Sequence, residues 1–170
     1  MKHSSPPPSA ARRAAMLGIL CALAGTLSFL EGLLPALPLP GAKLGLANVV
    51  TMFALSSMGL PAALAVTLAK TVFALFRGGS AFILSLSGGL LSTLTMALVW
   101  RLWRRHLSFV GLGILGAVAH NAGQLLAAVV LIGPSLFYYA PWLLLMALGT
   151  GFVTGLVLNG TIPTLSRWQW

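Results

Sequence analysis

Long apolar runs follow one another along this chain, separated by short breaks rich in Gly and Pro. A bilayer core takes helices of about 17–25 apolar residues, because every backbone polar group must be satisfied within the segment. The breaks define six predicted helices. The first spans Ala14–Leu34 and is ended by Pro35, Pro38 and Pro40. The second, Leu44–Met58, closes at Gly59 and Pro61, and the third, Ala62–Phe76, breaks at Gly78-Gly79. Phe82–Trp100, Phe109–Ile132 (ended by Gly133-Pro134) and Pro141–Leu158 complete the set. The second and third are short for a hydrocarbon core of about 30 Å, which predicts a broken or re-entrant course there. The stretch from Leu33 to Leu46 is apolar, yet its prolines and glycines forbid a continuous helix. Non-helical backbone at membrane depth needs cover from protein or a water-filled cavity, so this stretch is a candidate wall or lid of a binding site.

Composition agrees with the pattern. Charged residues make up 6% of the chain against 58% hydrophobic, where a water-soluble domain carries about 25% charged residues. The reading is an all-α integral membrane protein, a bundle of six transmembrane helices. Residues 1–13 form a disordered cytoplasmic tail, 14–158 the membrane domain and 159–170 a short cytoplasmic tail. The basic balance, with a pI near 11.6, does not point to nucleic acid, because the cations are few, scattered and without a recognition motif. Arg12 and Arg13 before an apolar segment resemble a signal peptide, but the run to Leu34 is too long for a signal core and reads as a retained helix. A single cysteine, Cys21, excludes an internal disulfide and a multi-thiolate metal site.

Charge also orients the bundle. With both ends inside, Lys2, Arg12, Arg13, Arg101, Arg104, Arg105 and Arg167 collect on the cytoplasmic side, while Lys43 and Arg77 lie outside. Trp100, Trp103, Trp142, Trp168 and Trp170 all fall near predicted interfaces, as an aromatic belt requires.

The remaining ionisable and amide groups are the candidate chemistry, because a charge near the bilayer centre costs about 2.5–3.5 kcal/mol on insertion scales. Glu31, the one acidic residue, reads either as a structural ion pair with Lys43, Lys70 or Arg77, or as a ligand contact. Ala63, Lys70 and Arg77 recur at seven-residue spacing and are expected on one helical face, where two cations favour an anionic ligand. Arg77 alone is equally explained by snorkelling to the interface, but Lys70 lies too deep for that. His120, Asn121 and Gln124 are expected on one side of the fifth helix, with Asn48, Ser85 and Ser87 able to complete a ligand site. The alternative for His120 is an interhelical hydrogen bond. Three scattered histidines with no nearby carboxylate make a poor metal site. Ala14, Gly18 and Ala22, with Ala11 and Ala15, form a small-residue pattern on the first helix that permits close helix contact.

Three runs carry a resemblance. Glu31-Gly32-Leu33-Leu34-Pro35 through Gly41-Ala42-Lys43-Leu44-Gly45-Leu46-Ala47-Asn48, then Ser85-Leu86-Ser87-Gly88-Gly89, then Gly116-Ala117-Val118-Ala119-His120-Asn121-Ala122-Gly123-Gln124 occur in order. Together they resemble the bacterial Gx transporter family, also labelled heptaprenyl diphosphate synthase component I, over about Ala14 to Leu158. Lys70 departs from the Arg expected of that family, preserving the charge. The family is similar to the substrate-binding S components of energy-coupling-factor transporters. This likeness implies a multi-pass protein of the bacterial inner membrane, with an outward-facing site for a small molecule under the loop between the first two helices. It also implies that the small residues of the first helix meet a transmembrane coupling subunit driven by cytoplasmic ATPases. The chain has no phosphate-binding loop with which to hydrolyse ATP itself.

The synthase label implies a different role. Prenyl diphosphate synthases resemble one another in Asp-rich motifs that hold Mg²⁺, and this chain has no Asp and a single Glu. It is therefore not expected to be an enzyme, and no cofactor is expected. Under that label it would be a non-catalytic accessory subunit of heptaprenyl diphosphate synthase or of isoprenoid or quinone assembly. A structural subunit of a redox membrane complex is a third reading, without a positive sign in the sequence.

Overall fold

The structure, a computed structural model, describes residues 9–33 and 45–166. Among the described residues it is all helical: α1 (Ala10–Leu33), α2 (Leu46–Met58), α3 (Leu60–Val72), α4 (Gly79–Trp103), α5 (Phe109–Ile132) and α6 (Ala140–Ser166). Two 3₁₀ segments, Phe73–Arg77 after α3 and Pro134–Tyr139 before α6, complete it. Five stretches are long and apolar enough to cross a membrane, the second and fifth of them counting a 3₁₀ segment with its helix. α2 is the exception, and at 13 residues it is only about 20 Å long.

α2 explains the architecture. It packs against all five other helices, and Val50 through Leu55 are buried without interruption. Burial on every side over these roughly one and a half turns places that part of α2 inside the bundle. Its core joins Val50, Met52, Phe53 and Leu55 to Leu20 and Ala24 of α1, Ala62, Ala63 and Val66 of α3, Met96 of α4, Leu112 of α5 and Leu158 of α6. Gly59 alone connects α2 to α3. Its φ of 89° and ψ of −177° lie in a region open essentially only to glycine. Its N–H caps the carbonyls of Ala54 and Leu55, and its own carbonyl accepts from Ala63.

Elsewhere glycines let helices meet backbone to backbone. A Cβ on Gly113 of α5 would run into the Gly151 carbonyl of α6, and one on Gly155 into Val110. Between α4 and α5, Gly88 lies beneath the His120 carbonyl and Gly123 beneath that of Ser87. Lipid tails are as apolar as side chains, so association rests on this close packing and on interhelical hydrogen bonds. Such bonds tie α3 to α4 (Thr67 to Thr93, 2.7 Å), α4 to α5 (Ser92 Oγ to the Gly116 carbonyl, 2.8 Å) and α5 to α6 (Asn121 Nδ2 to the Leu143 carbonyl, 2.9 Å).

The sequence-derived boundaries shift at the chain ends. α1 starts at Ala10 rather than Ala14, capped by Ser9 through its hydroxyl bond from Arg12 N–H, so helix enters the segment read as a tail. α6 continues from Leu158 to Ser166, two turns into the second expected tail. α4 begins at Gly79, earlier than Phe82, because Gly78 at φ 111° makes the break in a single residue. Residues 1–8, 34–44 and 167–170, which hold Lys2, Lys43, Arg167, Trp168, Trp170 and the proposed lid, lie outside the described residues.

The α5–α6 contact generates a direct test. Gly113→Val should lower the unfolding midpoint of the detergent-solubilised protein, at a cost of about 1–3 kcal/mol from overpacking. Gly18→Ala, where an added Cβ meets nothing within 4 Å, should be neutral or stabilising by up to about 1 kcal/mol. A Gly113→Val protein as stable as the parent would disprove the close approach.

Candidate functional site

Lys70 is the most deeply buried cation among the described residues, at 3% exposure. It sits in the last turn of α3, and its chain runs past Gly89 of α4, where a Cβ would stand 3.8 Å from Lys70 Cε. Its ammonium donates to Asn48 Oδ1 at 2.6 Å and to Thr51 Oγ1 at 3.2 Å, both on α2. Asn48 and Thr51 are three residues apart, one turn of helix, so a single ammonium reaches both. Asn48 is positioned by the left-handed Gly45 at the start of α2, whose carbonyl takes the Asn48 N–H at 2.8 Å. These two oxygens fix the direction in which the ammonium points.

Glu31 and Arg77 lie at the same end of the bundle. Glu31 is buried in the last turn of α1, and the Arg77 side chain lies across the neighbouring Gly32. One turn or two below, the Phe73 ring covers Gly25 of α1. α1 and α3 therefore run parallel, joined at two glycines by side chains of the 3₁₀ segment.

That segment corrects the expected common face of Ala63, Lys70 and Arg77. Tighter winding from Phe73 to Arg77 turns Arg77 roughly 80° away from Lys70 about the helix axis. Lys70 consequently reaches inward to α2, whereas Arg77 is exposed and lies on α1. Seven-residue spacing holds only while the helix stays α.

The α5 constellation also divides. His120 and Gln124, four residues apart, both stand over Gly88 of α4. Asn121 lies a further 100° or so around the helix and donates instead to the Leu143 carbonyl of α6. All three are buried, yet they do not converge on one surface. Nor does Asn48 complete this cluster, since it serves Lys70. Ser87 returns its hydroxyl to the Ile83 and Leu84 carbonyls of its own helix, while Ser85 is buried beside the cluster's helix pair. The reading by spacing missed Thr51, because a threonine in an apolar run carries no charge or motif that would mark it. Missed likewise was the Thr67–Thr93 bond one turn below Lys70.

The small residues of α1 keep to the outside. Ala11, Ala14, Ala15, Gly18 and Ala22 are all exposed, while Leu20, Ala24, Gly25 and Ser28 face the bundle.

Buried polar groups on apolar helices that are long enough to span a bilayer define a multi-pass membrane protein. The family is shown by comparison: the heptaprenyl diphosphate synthase component I profile matches residues 20–161, and the chain belongs to that family. Neither the curated proteins nor the solved structures compared with it match the chain.

The geometry around Lys70 sets a double-mutant cycle. Asn48→Ala should cost about 1–3 kcal/mol in the parent, since it withdraws an acceptor from a buried ammonium. In a Lys70→Met background the same change should cost clearly less, and thermal unfolding in detergent reads the difference. Equal costs in both backgrounds would show that the two side chains are not coupled.

Proposed function

We propose that this chain is a membrane-embedded substrate-binding protein of the S-component type, handling a small anionic or amphipathic ligand in the bacterial inner membrane. The observation that carries the reading is the buried, oriented ammonium of Lys70. A bundle held by glycine contacts gains no scaffold from a cation that is costly to place in an apolar interior. Its anchoring on two oxygens of the central helix supports a role in orienting an anionic ligand. Glu31 and Arg77 at the same end add contacts of both signs, and Lys43 would join them from the segment before α2. His120 and Gln124 on α5 supply neutral polar groups, with Asn121 one helix face away.

The exposed stripe of Ala11, Ala14, Ala15, Gly18 and Ala22 supports the second half of the reading, a transmembrane coupling subunit with cytoplasmic ATPases. Small side chains on an outer helix face allow a partner helix to approach closely. The positive-inside pattern supports an orientation with Arg101, Arg104 and Arg105 toward the cytoplasm and Lys70 and Glu31 toward the outer half of a six-helix bundle with both ends inside.

The second reading, a non-catalytic accessory subunit in isoprenoid assembly, is favoured by the family's name. Under it, Lys70 and Arg77 would meet a diphosphate, although they stand at the end opposite the basic turn.

Gentle purification followed by mass spectrometry of bound subunits and small molecules separates the two. A coupling subunit with ATPases and a bound small anion are expected. Lys70→Gln and Gln124→Leu should each reduce the bound anion by about tenfold or more, the scale of one charge-assisted contact, with the protein still folded. A soluble prenyl synthase in place of ATPases would move the chain to the second reading.

A further inference from the structure

At the other end of the bundle a cavity of about 540 Å³ opens between the α2–α3 joint and the last turns of α4. Its walls are Leu55, Leu60, Leu94 and Leu98, and its rim carries Trp100 and Arg101. The exposed faces of Leu60, Leu94 and Leu98 show that it opens sideways, toward lipid. Gly59 lines it too, and the absence of a side chain at that joint is part of what leaves the space.

Charge at the rim is one-sided. Arg101, Arg104 and Arg105 are exposed within five residues of one another, at and just beyond the end of α4. The chain's only acidic side chain, Glu31, lies at the opposite end beside the Arg77–Gly78 break. Arg101 is 22 residues along the chain from Gly79, roughly 33 Å of helix, so no side-chain carboxylate of this protein reaches it. That leaves the position open to an anion from outside the chain. Trp100, stacked on Phe109 with ring centroids 5.3 Å apart, is a side chain suited to the headgroup level.

We infer that this groove is a binding site for an anionic phospholipid, with one acyl chain in the leucine-lined trough and the headgroup phosphate at Arg101. An aqueous anion would have no use for the trough, and a zwitterionic lipid would leave the arginine cluster without a net counter-charge. A basic rim above an apolar cleft between helices is the arrangement that anionic headgroups recognise. The site is separate from the Lys70 region and does not rest on the reading proposed for it.

The test uses the full chain reconstituted in vesicles of equal phosphatidylglycerol and phosphatidylcholine, with retained lipid counted by native mass spectrometry. One phosphatidylglycerol should be retained in preference to phosphatidylcholine. Arg101→Gln should lower that preference about fivefold, the worth of one cation near an anionic leaflet. Ala97→Phe, which projects a ring into the groove, should abolish the retained lipid. Arg101 is exposed, so its variant decides the matter alone should Ala97→Phe fail to assemble. Equal retention of both lipids, or a preference unchanged in Arg101→Gln, would overturn the site. So would displacement of phosphatidylglycerol by equimolar heptaprenyl diphosphate, which would assign the groove to an isoprenoid.

Discussion

A helix of about 20 Å cannot cross a hydrocarbon core of about 30 Å, and the fold is arranged around that shortfall. α2 is largely shielded from lipid, because it packs against all five other helices and is buried from Val50 through Leu55. Enclosure frees it to carry Asn48 and Thr51, whose polar groups would be costly on a lipid-facing surface. It also gives Lys70 somewhere to go. The neighbouring helices solve a different problem, that of holding together where burial of apolar surface offers no advantage over lipid. They do so with glycine contacts and with hydrogen bonds that link each successive pair from α3 to α6.

Much of this was legible in the sequence, and for identifiable reasons. Gly and Pro mark breaks by their backbone chemistry, so the ends of α2 at Gly59 and of α5 at Gly133 were readable to the residue. The start of α5 was equally clear, and the Ser108 hydroxyl caps it by accepting from Gly111 N–H. Brevity of the second and third helices was legible as well, but not its meaning. A short apolar run looks the same whether it is re-entrant or central, since only neighbours distinguish the two.

For the candidate site the sequence offered polar residues at suggestive spacings, and their arrangement was not legible. Spacing placed Lys70 with Arg77 and gathered His120, Asn121 and Gln124, assuming unbroken α geometry and one shared face. The 3₁₀ turn at Phe73–Arg77 broke the first assumption. It follows from nothing that side-chain type announces, since Phe-Ala-Leu-Phe would serve either winding. The second failed because α5 has buried neighbours on two sides, α4 and α6, so a polar residue one position along meets a different helix.

The one-residue joint at Gly59 makes a stiff elbow of α2 and α3. No slack chain separates them, and its glycine-only backbone conformation is clamped by hydrogen bonds on both sides. Lys70, far along one arm, is bonded to the far part of the other, which closes the elbow into a triangle with two rigid sides. A triangle cannot be sheared by moving one corner. Whatever pulls on the ammonium therefore loads the vertex, and the vertex is the floor of the groove beside Arg101.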